Sequence, residues 1–597
     1  NYLYFSCFAL VTLASASADS IERPHIIFIV ADDLGYNDVS MHGSDQILTP
    51  NIDVLAYNGV VFRQYYTDTQ GTAARSALFT GKYAMRLGTQ SDSIKASEDR
   101  GIPISERLLP AYLRELGYET HLIGKWDVGK SREHYLPAYR GFGTFYGFLG
   151  GTVDYYTYNH VQDWNETSFF GLDLFHDGLP VEDQSGHLTD LFTEQAVQVI
   201  RNHNGDAPLY LHVSHLAPRA GSLTAAQAPL DEIVANAHVA HPARRMYAGL
   251  VTSLDKSVGH IVAALAEKEM LENTLIVFIS DNGAPTVGPS KNFGSNCPLR
   301  GVKSTPWEGG ARSLALMWHA SLPSVVSNGL FHVTDWLPTL VAAAGGAVGG
   351  TIDGINHWQA ITNGEETKRN NVVITIDDLN GWAAYREGDY KIVVGELDKD
   401  MSRHFGAELA FLRHGGPLYE DVLLECEVLR VLRETLSRDF YMELVLEQRS
   451  ELTLNNSYTD TGFENLCMPT KVKGCLFNIS DDPLETKDLW DVMPDLVRRM
   501  TLRLRTLWAE LKPRSKLRFD LRADPSNRSY TWTPWLDNND TIEQPPTSTP
   551  PFPLQPTMGE FQYLVDLNLN AFKETLLGSF KTMGETLGKS ISGLFSF

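Results

Sequence analysis

The chain has 597 residues, 73 acidic against 50 basic for a formal charge of -23, and five cysteines. With 43% apolar and 10% aromatic residues it is neither disordered nor collagen-like, and at roughly 150 residues per domain it has length for several domains. The acidic excess excludes a nucleic-acid binder, which needs clustered Lys and Arg to displace phosphate counterions, and the cysteines are too sparse for a disulfide-framework mini-protein.

Residues 1–18, NYLYFSCFALVTLASASA, are apolar and then small, with Ala16 and Ala18 in an A-x-A cleavage pattern. They read as a secretory signal shortened at its start, since the apolar part falls short of the ~20 residues of a membrane helix. Cleavage would start the mature chain near Asp19, remove Cys7 and leave Cys297, Cys426, Cys467 and Cys475. Secretion gives meaning to the N-x-S/T sequons at Asn165, Asn455, Asn478, Asn527 and Asn539, which are expected to carry glycans on an exposed surface. Cys467 and Cys475 are close enough in sequence to close a small loop, with the pairing left open at this level.

From Pro24 to about residue 365, apolar strand runs alternate with amphipathic helices, which predicts a large α/β domain over 19–368. The runs HIIFIVA (25–31), PLYLHVS (208–214) and TLIVFIS (274–280) are unbroken, as in strands buried on both faces of a parallel or mixed sheet. Helical patterns cover 105–116, 187–202 and 243–268. Shorter strand candidates, NVVITI and YKIVVG, predict a smaller α+β domain over 369–520. A linker follows over 521–557, Pro-rich and extended in QPPTSTPPFPLQP (544–556). In the tail, 558–597, Phe561, Val565, Leu569, Phe572 and Leu576 open an apolar series in steps of 4, 4 and 3. That 11-residue period keeps a nearly straight stripe on one helix face, a face that needs lipid, a partner helix or the protein's own domain to cover it.

Two of the strong strands end alike, HIIFIVA in Asp32-Asp33 and TLIVFIS in Asp281-Asn282-Gly283. Ligands of open α/β sheets bind outside the carboxyl ends of strands. If these two are neighbours, three carboxylates and an amide oxygen converge, and an all-oxygen set of that charge calls for Ca²⁺ or Mg²⁺. One such terminus alone would be a strand-end cap; two matching ones favour a metal. In TQGTAARSALFTGKY (69–83) a small-residue turn enters a helix, an anion site with Arg75 in its first turn. Lys125 in IGKWDVG and Lys303 in PLRGVKSTPWEGG could add charge around a tetrahedral anion that bridges metal and cations.

Taken together, VADDLGYNDVS, TPNIDVLAYNGVVF, ARSALFTGKY, LIGKWDVG, FISDNGA, PLRGVKSTPWEGG and HVTDWLPTL resemble the type I sulfatases, in particular the arylsulfatase B branch, over about residues 24–500. The resemblance implies an alkaline-phosphatase-like α/β sandwich with a mixed central sheet and a smaller C-terminal α+β domain. It also implies one Ca²⁺ on Asp32, Asp33, Asp281 and Asn282, with Arg75, Lys125 and Lys303 holding the sulfate and the nucleophile. In the family that nucleophile is a formylglycine hydrate made from the cysteine of Cys-x-Pro-x-Arg.

Here the pattern fails at the chemistry. Gly71 stands at the nucleophile position and Ala73 at the proline, Asp127 replaces one catalytic histidine, and Arg219 replaces the other. His215 lies four residues from that second position. Leu484 stands where relatives often carry a cysteine, which makes Cys467 the expected partner of Cys475. Without a side chain at 71, covalent attack is lost. The expectation is therefore a secreted (or lysosomal) pseudoenzyme that keeps the fold and the calcium site. It would bind a sulfated glycan or a protein, or serve as a carrier through its tail. The alternative is a residual ester hydrolase using Thr72 or metal-bound water. Asp127 and Arg219 are expected to pair within about 4 Å and fill the old pocket.

Overall fold

The computed structural model describes residues 23–164, 167–223, 226–406, 413–454, 465–514, 519–538 and 549–555. The expected signal at 1–18, the tail at 558–597, and the sequons at Asn165, Asn455 and Asn539 lie outside them.

Strands β1 (His25–Asp32), β2 (Val60–Tyr66), β3 (Glu119–Lys125) and β4 (Thr144–Phe148) belong to a ten-stranded mixed sheet. After a separate hairpin of β5 (Asn159–Trp164) and β6 (Thr167–Leu172), the sheet gains β7 (Phe175–His176), β8 (Leu179–Pro180), β9 (Leu209–Pro218), β10 (Thr274–Ser280), β11 (Ala315–Trp318) and β12 (Val325–His332). The spatial order is β12-β2-β11-β10-β1-β9-β3-β4-β7-β8. β1 lies between β10 and β9, parallel to both, with Ala31 level with Ser280, so the two acidic strand ends are neighbours.

The unbroken apolar runs follow from two cores, since successive strand residues point to opposite faces. Ile27 and Ile29 pack into one core with the helices Leu188–Asn202 and Pro242–Glu267, while Ile26, Phe28 and Val30 pack into the other against Trp336–Ala343.

A second, antiparallel sheet is built from β13 (Asn371–Asp377), β14 (Trp382–Glu387), β15 (Tyr390–Gly395) and β16 (Cys475–Asn478) in that order. The helix Pro494–Ala509 packs on it through Leu504 and Trp508. Between β15 and β16 the chain leaves this sheet. The helices Tyr419–Glu425 and Glu427–Leu436 place Leu423, Val428 and Leu432 in the core of the first domain. The segment expected as one α+β domain is therefore interrupted, because the apolar face of Glu427–Leu436 finds its cover on Pro242–Glu267.

The stretch expected as a linker is bound along two parts of its length. Trp532 and Trp535 join Ala96 and Phe169 in a small apolar cluster. Farther on, the Pro550 carbonyl accepts a hydrogen bond from Trp508 Nε1 at 2.8 Å, and Leu554, 3% exposed, gives its carbonyl to Arg505 at 2.8 Å. Extended Pro-rich backbone makes no internal hydrogen bonds, so its carbonyls are free for such donors. Cys467 and Cys475 form a disulfide, and Cys297 and Cys426 are buried. Among the described residues no helix is long and apolar enough to cross a membrane.

Candidate functional site

β1 ends at Asp32, and Asp33 turns off the strand in the left-handed region at φ 65°. Two contacts hold that turn. The Asp33 N–H donates to Asp281 Oδ1 at 3.2 Å, and its carbonyl accepts from Asn292 Nδ2 at 3.0 Å. Asp281 and Asn282 follow β10 directly. The outcome is that oxygens of Asp32, Asp33 and Asp281 lie within 4.8 Å of one another, all three side chains buried.

Cations surround this cluster. Lys125, the last residue of β3, places Nζ 2.7 Å from Asp32 Oδ2. Arg75 Nη2 lies 3.0 Å from Asp281 Oδ2, and its other terminal nitrogen donates to Ser214 Oγ. Lys303 Nζ contacts Asp33 Oδ1. Thus the seven site residues drawn from strand ends, helix start and loop motifs do meet, with Asn282 donating to Asp33 Oδ1 at 2.7 Å. Ser214 and Asn292 also belong to the site. Ser214 was findable as a polar residue ending the third strong strand run; Asn292 sits in a loop without a motif.

Burial alone would raise the Asp32 carboxyl, but Lys125, Arg219, Lys303 and Arg75 together hold it well below the ordinary carboxylate range. Asp281 goes the other way, pushed up to about 6 by burial and by the neighbouring Asp32 charge. Burial lowers Lys303, with Arg219 adding to the effect.

The donor set suits a hard divalent cation. Besides three carboxylates, Asn282 presents a buried Oδ1 without a hydrogen-bond partner, and Asp32 Oδ1 likewise has none. Asp32, Asp33, Asp281 and Asn282 would hold the ion, and it would supply positive charge for an anionic oxygen of a ligand.

Gly71 is the first residue of the helix Gly71–Thr80 and sits against this cluster. A Cβ built on it would lie 2.9 Å from Asp281 Oδ2, 3.6 Å from Lys125 Nζ and 3.7 Å from Asn282 Oδ1. Position 71 therefore faces the centre of the site, and it carries nothing that could attack. Thr72, the next residue, is buried, and its Oγ1 accepts a hydrogen bond from Ile94 N at 3.2 Å.

Asp127, in the left-handed region at φ 55°, has its carboxylate 3.3 Å from Lys125 Nζ. Arg219, just past β9, reaches Asp33 Oδ2 at 3.0 Å and Asp32 Oδ1 at 3.6 Å. The expected Asp127–Arg219 contact is absent among the ion pairs of these two residues. The guanidinium has gone to two adjacent carboxylates, which attract it together where Asp127 would attract it alone. His215 is buried within the first domain. It lies inside β9 with Nε2 3.1 Å from Ser257 Oγ on the helix Pro242–Glu267, and burial lowers it to about 3.

Acidic strand ends facing a helix start across a mixed parallel sheet are the arrangement of an alkaline-phosphatase-like α/β protein, whose ligand crevice opens at those ends. The comparisons with known proteins narrow the class. The sulfatase family model matches residues 24–347. Arylsulfatase J of Mus musculus is 31% identical over 527 residues, covering 87% of this chain and 81% of that protein. N-acetylgalactosamine-6-sulfatase of Rattus norvegicus is 29% identical over 352 residues, 56% of this chain and 65% of that protein. Among solved structures, Ps i-CgsB in complex with k-i-k-neocarrahexaose has a TM-score of 0.63 at 26% identity, covering 82% of this chain and 94% of that one. The chain belongs to the type I, formylglycine-dependent sulfatase family, related to its arylsulfatase and N-acetylgalactosamine-6-sulfatase branch.

Two expected glycan sites fall within the described residues. Asn527 is exposed, and Asn478 is partly buried at the end of β16, with its Nδ2 2.7 Å from Asp481 Oδ2.

Proposed function

We propose that this chain is a sulfatase-family binding protein that no longer hydrolyses sulfate esters. The observation that carries the reading is Gly71, whose missing side chain would point at Asp281, Lys125 and Asn282. With no atom there to oxidise, no formylglycine hydrate forms. Asp127 and Arg219 at the two proton-handling positions remove acid–base help typically worth about 10²–10⁴-fold.

The calcium ligands remain, and the unpartnered Asn282 Oδ1 supports a retained ion. A sulfated glycan is the ligand class that fits best, from the chemistry in the relatives' names and from the cations around the cluster. Protein ligands and a carrier role through residues 558–597 are the other outcomes of a binding screen. The Cys467–Cys475 disulfide supports an oxidising compartment, extracellular or lysosomal.

The test is turnover of a generic aryl sulfate and an aryl phosphate by the purified protein with calcium present. The expected result is no hydrolysis above background. Turnover that disappears in Thr72→Ala would overturn the reading in favour of a residual hydrolase.

A further inference from the structure

Arg219 is the one cation at this cluster that departs from the sulfatase pattern, and it occupies oxygens a metal would need. Its Nη1 lies 3.0 Å from Asp33 Oδ2 and 3.6 Å from Asp32 Oδ1. The remaining oxygens of these two carboxylates are engaged by Lys303 and Lys125, and Arg75 takes Asp281 Oδ2. Counting Asp127, four carboxylates face four cations, so the repulsion that draws in a divalent ion is already compensated. One group is left over. Asn282 Oδ1 is buried without a partner, an oxygen suited to a cation and not to a guanidinium held elsewhere.

Arg219 also has a second place to go. Neither carboxylate oxygen of Asp127 makes a hydrogen bond, although both are buried and Lys125 lies 3.3 Å away as an ion-pair partner. Asp127 lies beside Gly151, where an added Cβ would meet Asp127 Oδ1 at 3.3 Å. Gly151 and Arg219 line the same cavity of about 510 Å³, together with Lys95, Thr152 and Phe519. The Arg219 side chain is 14% exposed, so it has room on that side.

We propose that Arg219 is an internal counter-ion that exchanges with a divalent cation: either the guanidinium sits on Asp33 and Asp32, or the ion does and Arg219 turns to Asp127. The exchange rests on the reading that the cluster still takes calcium. It makes the metal conditional on the side chain at position 219, and it makes the charge lining the neighbouring cavity depend on metal occupancy. In the metal-bound state a paired Asp127–Arg219 would replace a lone carboxylate facing Lys125.

Calorimetric titration of the full-length protein with calcium chloride tests this, using wild type, Arg219→Gln, Arg219→Lys and Asp127→Asn. Thermal unfolding without calcium establishes that each variant is folded. Arg219→Gln is expected to bind calcium at least about tenfold more tightly, because one buried ion pair fewer must be broken. Arg219→Lys should stay near wild type, and Asp127→Asn, which removes the second place for Arg219, should bind more weakly. Equal affinity in wild type and Arg219→Gln would overturn the exchange and leave the metal site standing. No binding by any variant, Arg219→Gln included, would overturn the metal reading itself.

Discussion

Lys391 holds the second sheet to the first. It lies in β15, is fully buried, and places Nζ 2.9 Å from Glu308 Oε1 and 2.8 Å from Glu485 Oε1. Glu308 in turn accepts from Tyr66 Oη at 2.6 Å, at the end of β2 in the central sheet. Replacing Lys391 by Met keeps the stem and removes the charge, leaving two buried carboxylates with Arg312 3.8 Å from Glu308 as the nearest remaining ion pair. Removing one partner from a buried pair costs about 3–5 kcal/mol, and a cation shared by two carboxylates belongs at the upper part of that range.

The cost should depend on pH. Burial, followed by the opposing pull of Lys391, sets Glu485 at about 7, above an ordinary glutamate. A carboxyl raised on folding stabilises fully below its unfolded value, and that contribution is lost as pH rises through about 7. Without Lys391 the carboxyl is raised further and the loss grows. Urea denaturation of wild type and Lys391→Met at about pH 5 and about pH 8 reads both quantities. The destabilisation should be clearly larger at the higher pH, and adding Glu485→Gln should recover half or more of it. A penalty under about 1 kcal/mol, or one equal at both pH values, would refute the assignment of this cluster as the electrostatic link between the sheets.

Two further outcomes follow from packing and from the crosslink. Leu554→Ala should lower stability by about 2 kcal/mol, since it empties a buried site on the helix Pro494–Ala509; an unchanged urea midpoint would mean that residues 549–555 are not bound there in solution. Cys467→Ala with Cys475→Ala should cost about 2–3 kcal/mol through the short loop the bond closes, read in the same denaturation assay, and a stability unaffected by the double substitution would contradict it.

The acidic ends of β1 and β10 were legible because a strand buried on both faces must be apolar throughout, so the first polar residues mark where it leaves the sheet. The same logic reached Ser214 only in part, since a single serine at a strand end has many ordinary uses. Asn292 was out of reach, because its role is to hold the backbone of a residue far away in the chain. Where residues 419–436 would pack was out of reach for a related reason. An amphipathic face states that a cover is needed and says nothing of which surface supplies it.

By itself the sequence determined the α/β architecture, the acidic ends of β1 and β10, and that position 71 carries no side chain. These depend on residue type and on periodicity along the chain. Tertiary structure alone decided which carboxylate Arg219 would take, that Asp127 would be left to Lys125, and that the Pro-rich segment would lie on the Pro494–Ala509 helix. Each of those outcomes is a choice among several oppositely charged or unpaired groups. Coulomb attraction and hydrogen bonding make that choice over a few ångströms of space, a distance that separation along the chain does not encode.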